Sequence, residues 1–432
     1  MFLKIDLNYF LINTMKDIDN RLLNIKKNNL YREINYLKSP QDKNIKIDDL
    51  EFLLMSSNNY LSLSNNKSLK ESAIDAIKKY GVGSGGSRLT TGSYDLHKEL
   101  ENYISKFFNR ESSLVFNSGY AANVGTISAV CDERYTIFSD ELNHASIIDG
   151  CRLSKGKTVV FKHNNMNDLY EKIKFHNPKN GLIVTDGVFS MDGDICPLDK
   201  IVSIAKEFNL LTMVDDAHGL GVIGKTGHGI LEYFNLNDEV DIYLGTLSKA
   251  IGSEGGFVSG EKNLIEFLKN KARSFIFSTS LPVSSISSSL TAFKILNNDK
   301  EEFNNIDKTK LYTTKITNLS SANPNNNNNN NNNDCVKKLQ KNIVHFKKAL
   351  LDIGINTNSE SAIIPVLVGS ETLALKYSKY MFDKGIFVPA IRYPTVPKGK
   401  AILRFCLMAD HTKKDLNFVV NTLSEAIEYF HS

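Results

Sequence analysis

Between Leu114 and Val214 short apolar runs alternate with stretches of helix length, and nothing else in the chain restricts the fold as much. The runs are Leu114-Val115-Phe116, Thr136-Ile137-Phe138, Val159-Val160-Phe161, Leu182-Ile183-Val184 and Leu211-Thr212-Met213-Val214. Each is too short for a helix and reads as a buried strand. Strands that alternate with helices form parallel pairs joined by helical crossovers, so the pattern predicts an α/β fold with a mostly parallel sheet covered by helices. In such sheets a ligand sits beyond the carboxyl ends of the strands. The residues that fall there are Ser118-Gly119-Tyr120, His144, Ser190, Asp215 and His218.

One further run, Asp241-Ile242-Tyr243-Leu244, also reads as a strand and leads into Gly245-Thr246-Leu247-Ser248-Lys249-Ala250-Ile251-Gly252-Ser253-Glu254-Gly255-Gly256. Small residues allow a bulky group close to the backbone and to the lysine. A crowded lysine loses hydration, so its neutral, nucleophilic form becomes accessible near neutral pH. The plainer reading of this stretch alone is a surface lysine in a Gly/Ser loop. Val214-Asp215-Asp216-Ala217-His218 puts two carboxylates at a strand end, where successive side chains point to opposite sides, one toward a site and one toward the scaffold. Ser118-Gly119-Tyr120, between a strand and the helix expected over 121–130, offers backbone N–H groups to an anion or is an ordinary cap. Two stretches match G-x-G-x-x-G, at Gly81–Gly86 and Gly219–Gly224, but neither has the strand, turn and helix that a dinucleotide site requires. No His-Glu-x-x-His or His-x-x-x-His pattern occurs, so no metal site is expected.

The rest of the 432 residues divides around this region. Residues 1–50 read as an N-terminal helical segment, with a helix over 11–37. Residues 51–296 form the large α/β domain, with a capping box at Ser68 opening a helix through Tyr80. Residues 297–432 read as a smaller α+β domain with strands near 363–367 and 401–405. An asparagine-rich insertion at 321–334 has almost nothing apolar to bury and is expected to be disordered. Basic residues exceed acidic ones by only 52 − 48 = 4, which gives no case for nucleic acid as a partner. No apolar run reaches the ~20 residues of a membrane span. The five cysteines are scattered and read as reduced thiols. The N-terminus, with Asp6, Asp17 and Asp19, is a poor signal or transit peptide. A cytoplasmic protein is expected, with mitochondrial or peroxisomal placement left open.

Taken together, these residues resemble the pyridoxal-phosphate α-oxoamine synthase family, of the aspartate-aminotransferase-like fold (fold type I). The resemblance runs from about residue 20 to 428 and rests on Asp215-x-x-His218 combined with Thr246-x-x-Lys249. Gly83–Arg88, Asn143–Gly150 and Ala390–Pro397 are similar to the branch that joins L-alanine to a pimeloyl thioester. That resemblance implies pyridoxal 5'-phosphate held as an imine on Lys249, which also acts as base at the alanine Cα. It implies Asp215 at the pyridine nitrogen, His218 at the ring hydroxyl, His144 stacked on the ring and Ser190 nearby. It implies phosphate contacts from Gly119, Tyr120 and Thr246, with Thr279 from the second subunit of a homodimer. Arg404 and Asn58 match the contacts to the amino-acid carboxylate, and Arg32 and Thr395 those to the far carboxylate of a pimeloyl chain carried on CoA or a carrier protein. Tyr393 stands where this branch has proline, Ser62 where it has glycine, and Leu220 where it has a small or hydroxylated residue. Within the family the alternatives are 2-amino-3-oxobutyrate CoA ligase, serine palmitoyltransferase and 5-aminolevulinate synthase. Outside that reading stand a non-catalytic partner subunit, disfavoured by the presence of Lys249, and a nicotinamide oxidoreductase.

Overall fold

The computed structural model describes residues 7–28, 30–299 and 334–431. The asparagine run Asn325–Asn333 lies outside them. The chain opens with α1 (Leu7–Lys27), then β1 (Asn44–Ile47) and β2 (Leu50–Leu54), followed by α2 (Lys67–Tyr80) and α3 (Asp95–Phe107). The alternating region follows as β3 (Ser112–Phe116), α4 (Gly119–Val130), β4 (Tyr135–Asp140), α5 (Ala145–Leu153), β5 (Lys157–Phe161), α6 (Met166–His176), β6 (Asn180–Asp186), α7 (Leu198–Phe208) and β7 (Leu211–Asp215). Next come α8 (Ile230–Phe234), β8 (Ile242–Thr246), β9 (Gly256–Gly260), α9 (Lys262–Lys271), α10 (Arg273–Ile276) and α11 (Val283–Leu296). The C-terminal part holds α12 (Asp334–Asp352), β10 (Ile363–Gly369), α13 (Glu371–Asp383), β11 (Ile386–Phe387), β12 (Ala390–Ile391), β13 (Ala401–Cys406) and α14 (Lys413–His431).

The six expected strands, joined by β9, which the sequence reading did not anticipate, form one seven-stranded sheet in the order β3-β9-β8-β7-β6-β4-β5. The pairs from β8 through to β5 are parallel, while β9 runs antiparallel to both β3 and β8. Its central strands are buried on both faces because helices cover both, which is why they read as continuous apolar runs, whereas the edge strand β5 is buried on one face only, with Val160 exposed. Two apolar clusters result: one centred on Leu114, Leu182, Leu244 and Val258, the other reaching from Val115 and Val214 to Phe405 of β13. The shared second cluster ties the C-terminal segment to the large sheet. The C-terminal antiparallel sheet has the order β10-β13-β12, and β2 joins β1 on one side and β11 on the other.

Two local expectations are corrected. Helix α1 stops at Lys27 rather than continuing to residue 37, and residues 30–36 are irregular. The Asn28 side chain donates back to the Asn24 carbonyl at 2.7 Å, which competes with helix continuation. Helix α2 is capped by Asn66, whose side chain accepts from the Ser68 N–H, and not by Ser68 itself. Ser62 has φ 58° and occupies the left-handed region, a conformation that favours glycine. Its hydroxyl accepts from the Asp410 N–H at 3.2 Å, an anchor glycine would lack.

Candidate active site

The segment between β8 and β9 is a closed loop, and its geometry explains the small residues. The N–H of Leu247 donates to the Gly255 carbonyl at 2.9 Å, that of Gly252 to Lys249 at 3.0 Å and that of Ser253 to Leu247 at 2.9 Å. The Thr246 hydroxyl donates to the Gly255 carbonyl at 3.0 Å and so fastens the two ends. Lys249 projects from this loop, half-buried, with Nζ 2.9 Å from Nε2 of His218. Loss of hydration lowers its pKa to about 8, against the pull of Asp215 and Asp186 and with help from Arg404.

The adjacent carboxylates at the end of β7 divide as the alternation of a strand predicts. Asp215 accepts from Nδ2 of Asn123 at 2.6 Å and from the Ala217 N–H at 3.0 Å. Asp216 faces the scaffold and accepts from Tyr243 Oη at 2.8 Å and from the Ile230 N–H at 2.9 Å. Burial pushes the Asp216 carboxyl up to about 8. His218 is buried, and burial together with Lys249 holds its pKa well below the usual histidine range, so its ring is neutral. His144 caps α5, with Nδ1 2.7 Å from Ser146 Oγ, and Ser146 accepts from Asn123 at 2.9 Å. A continuous chain therefore runs His144, Ser146, Asn123, Asp215.

Ser118 caps α4: its Oγ accepts from Ala121 and its carbonyl from Ala122, both at 3.0 Å. The first-turn N–H groups of Gly119 and Tyr120 are thereby left for another acceptor. A Cβ on Gly256 would lie 2.5 Å from the Gly119 nitrogen, so only glycine lets β9 approach this turn. Gly119 in turn lies against Thr246, a Cβ there falling 3.5 Å from Oγ1. Arg404 of β13 is buried and donates from Nε to the Ser190 carbonyl at 2.6 Å and from Nη1 toward Asn58 Oδ1 at 3.5 Å and Cys406 Sγ at 2.8 Å. Thus Lys249, His218, Asp215, His144, Ser190, Asn58 and Arg404 form one connected neighbourhood, beside the Gly119-Tyr120 turn and Thr246. Thr279 is apart: its side chain is exposed, and its carbonyl accepts from Asn117. Arg32 and Thr395 meet each other, Nη2 to Oγ1 at 3.2 Å, across 363 residues of chain.

A model of the family described as aminotransferase class I and II matches residues 51–423, most of the chain. The chain belongs to this family. Among its relatives, the 8-amino-7-oxononanoate synthase of Lysinibacillus sphaericus is 43% identical over 403 residues, covering 93% of this chain and 95% of that protein. A solved 8-amino-7-oxononanoate synthase from Francisella tularensis superimposes with a TM-score of 0.70 at 28% identity, over 88% of this chain and 99% of that one. A serine palmitoyltransferase from S. paucimobilis with a bound PLP–myriocin aldimine superimposes with a TM-score of 0.83 at 26% identity, over 98% and 99% of the two chains. This aminotransferase-family architecture is fold type I, as the resemblance implies, and its mostly parallel sheet is the one the strand alternation predicts.

Several residues of the neighbourhood escaped the sequence reading. Asp186 ends β6 in register with Asp215 on β7 and accepts from the His144 N–H at 2.7 Å. Burial and the neighbouring Asp215 push its carboxyl well above the usual range. Its position at a strand end was a usable signal. Asn123, Ser146, Cys406 and Tyr60 carry no such signal, because only the fold brings them to their partners.

Proposed function

We propose that this protein is a pyridoxal-phosphate-dependent C-acyltransferase that condenses L-alanine with a pimeloyl thioester, with loss of carbon dioxide, to give 8-amino-7-oxononanoate. The residues present suit the cofactor. A buried carboxylate, Asp215, stands across from a lysine of lowered pKa, and a glycine-walled turn offers N–H groups to a phosphate. Lys249 would hold the aldehyde, Asp215 the pyridine nitrogen, His218 the ring hydroxyl and His144 the ring face. Gly119, Tyr120 and Thr246 would hold the phosphate. When bound, the cofactor supplies an electron sink for charge developing at the amino-acid Cα.

The chain's own groups do the remaining work. Lys249, neutral above about pH 8, takes the proton from the alanine Cα. Arg404, fixed at Nε by the Ser190 carbonyl, pairs with the amino-acid carboxylate beside Asn58. Asn123 orients the Asp215 carboxylate, and Asp186 holds the turn that carries His144. One observation carries the choice of acyl group: Arg32 and Thr395 are hydrogen-bonded to each other at 3.2 Å. A pimeloyl chain ends in a carboxylate that this exposed cation and hydroxyl can pair with, whereas acetyl and palmitoyl chains carry no charge to pair.

The active enzyme is read as a homodimer, with Thr279 of the partner subunit reaching the phosphate. Two features support this: the exposed Thr279 side chain, and the apolar face of α1 formed by Met15, Ile18, Leu22 and Ile25, all exposed in the single chain. Alanine, glycine and serine assayed against pimeloyl-, acetyl- and palmitoyl-CoA, with CoA release measured, test the substrate assignment. Alanine with pimeloyl-CoA should be the best pair. A preference for glycine with acetyl-CoA would replace this reading with a 2-amino-3-oxobutyrate CoA ligase.

A further inference from the structure

Resting on the condensation reading above, we propose that Tyr60 is a positioning residue: its single hydroxyl proton is shared between Asn58 and His218, so that the amino-acid carboxylate site sets the ring tautomer of His218. The Tyr60 side chain is fully buried, and its hydroxyl lies 2.8 Å from His218 Nδ1 and 3.1 Å from Asn58 Oδ1. Its backbone is fixed to the C-terminal segment: the Ala409 N–H donates to the Tyr60 carbonyl at 2.8 Å, and that of Cys406 to Met55 at 2.7 Å. The hydroxyl therefore stays in place while its proton can choose a partner.

Arg404 is also hydrogen-bonded to the Tyr60 hydroxyl, as one more donor to its oxygen, and the donor count still leaves two arrangements. Burial pushes the phenol upward, so Tyr60 stays neutral with one proton to give. Asn58 Oδ1 can only accept, and neutral His218 has one ring N–H. If Tyr60 donates to Asn58, its lone pair receives Nδ1–H of His218, and bare Nε2 accepts from the Lys249 amine 2.9 Å away. If Tyr60 donates to Nδ1 instead, Nε2 carries the proton and becomes a donor toward Lys249, which can accept it only as the neutral amine, above about pH 8. Arg404 Nη1 also points at Asn58 Oδ1, at 3.5 Å. A carboxylate that draws Arg404 away changes how strongly that oxygen holds the tyrosine proton. Occupancy of the carboxylate site is thus passed through one hydroxyl to the nitrogen beside Lys249.

The test uses Tyr60→Phe, which keeps the buried ring and removes only the hydroxyl. Ring nitrogen NMR with ¹⁵N-histidine, His218 being assigned by the signal lost in His218→Asn, reads the tautomer directly. In the apoprotein, Tyr60→Phe should change the His218 signals. In the loaded wild type, L-alanine should shift them, and in loaded Tyr60→Phe the shift should be smaller, reduced to the part that comes from freeing Lys249 beside Nε2. The variant should still take up pyridoxal phosphate, while kcat/KM for alanine falls about tenfold, the worth of one buried hydrogen bond, and its pH profile moves. Unchanged His218 signals in the variant apoprotein, or a wild-type pH profile and kcat/KM in Tyr60→Phe, would overturn the proposal. If the variant does not fold, the wild-type arm decides, and a His218 signal indifferent to alanine overturns it. A wild type whose cofactor absorbance ignores alanine sinks the condensation reading instead. The histidine measurement is then made with whichever of glycine or serine perturbs that absorbance. A His218 shift with that amino acid that is larger in the wild type than in Tyr60→Phe supports the tyrosine relay, and an equal shift in both or an unmoved signal overturns it.

Discussion

At the scale of the residue, Lys249 carries the largest consequence. Its pKa, lowered to about 8 by lost hydration, makes the amine mostly neutral in mildly alkaline solution, where an ordinary lysine is not. The rate at which the apoprotein captures pyridoxal phosphate should rise through pH 7 to 8 and level off above about 8. Stopped-flow absorbance across that range gives the midpoint, and a midpoint near 10.5, the value of an unperturbed lysine, would contradict the environment described here. Lys249, Asp215 and His218 were legible in the sequence because each follows a strand end, where an α/β sheet keeps its ligand site. The partners that tune them were not. Tyr60 and His218 are 158 positions apart, and Asn123 and Asp215 are 92 apart, and no local pattern announces such a meeting.

At the scale of the element, two loops depend on named contacts. Strand β9 lies so close to the start of α4 that a methyl group on Gly256 would meet the Gly119 nitrogen at 2.5 Å and its Cα at 2.7 Å. Backbone must then move, at a cost of about 1–3 kcal/mol. Gly256→Ala should displace the Gly119-Tyr120 turn and weaken cofactor retention about tenfold or more, which equilibrium dialysis of pyridoxal phosphate would measure. The second loop, residues 187–196, carries Ser190 and is held by His163, which bridges Asp140 at 3.0 Å and Asp194 at 2.8 Å. Burial alone would lower the His163 pKa, but the two carboxylates raise it to about 10. Because the folded value is raised, the stabilisation is complete below the unfolded value near 6.5 and is lost as pH rises through about 10. The Tm difference between wild type and His163→Gln should therefore be greatest near pH 6 and shrink by pH 10. A difference that grows with pH would be the wrong sign. The parallel strands were readable because burial on both faces leaves uninterrupted apolar runs. The helix boundaries were less so: α2 begins under an Asn66 cap, and a Ser/Glu pattern beginning at Ser68 mimics a start two residues late.

At the scale of the whole molecule, the proposed homodimer would cover the apolar face of α1 and the Thr279 side chain, both exposed in the single chain. Lys249→Ala and Thr279→Ala proteins, dissociated and reassociated together, should regain activity in hybrid dimers, since one of the two sites would then be intact. A monomeric active enzyme by light scattering would contradict this. The meeting of the N-terminal Arg32 with Thr395 also belongs to this scale, since only the full path of the chain joins them, and only the family resemblance singled them out. The central claim is a decarboxylating condensation of alanine with a pimeloyl thioester, and its most direct test is the fate of the alanine carbons. The protein loaded with pyridoxal phosphate, given pimeloyl-CoA and L-alanine labelled with ¹³C in the carboxyl group, should release labelled carbon dioxide in step with CoA and form unlabelled 8-amino-7-oxononanoate by mass spectrometry. CoA release without labelled carbon dioxide, or no reaction with this pair while glycine and acetyl-CoA turn over, would contradict the account.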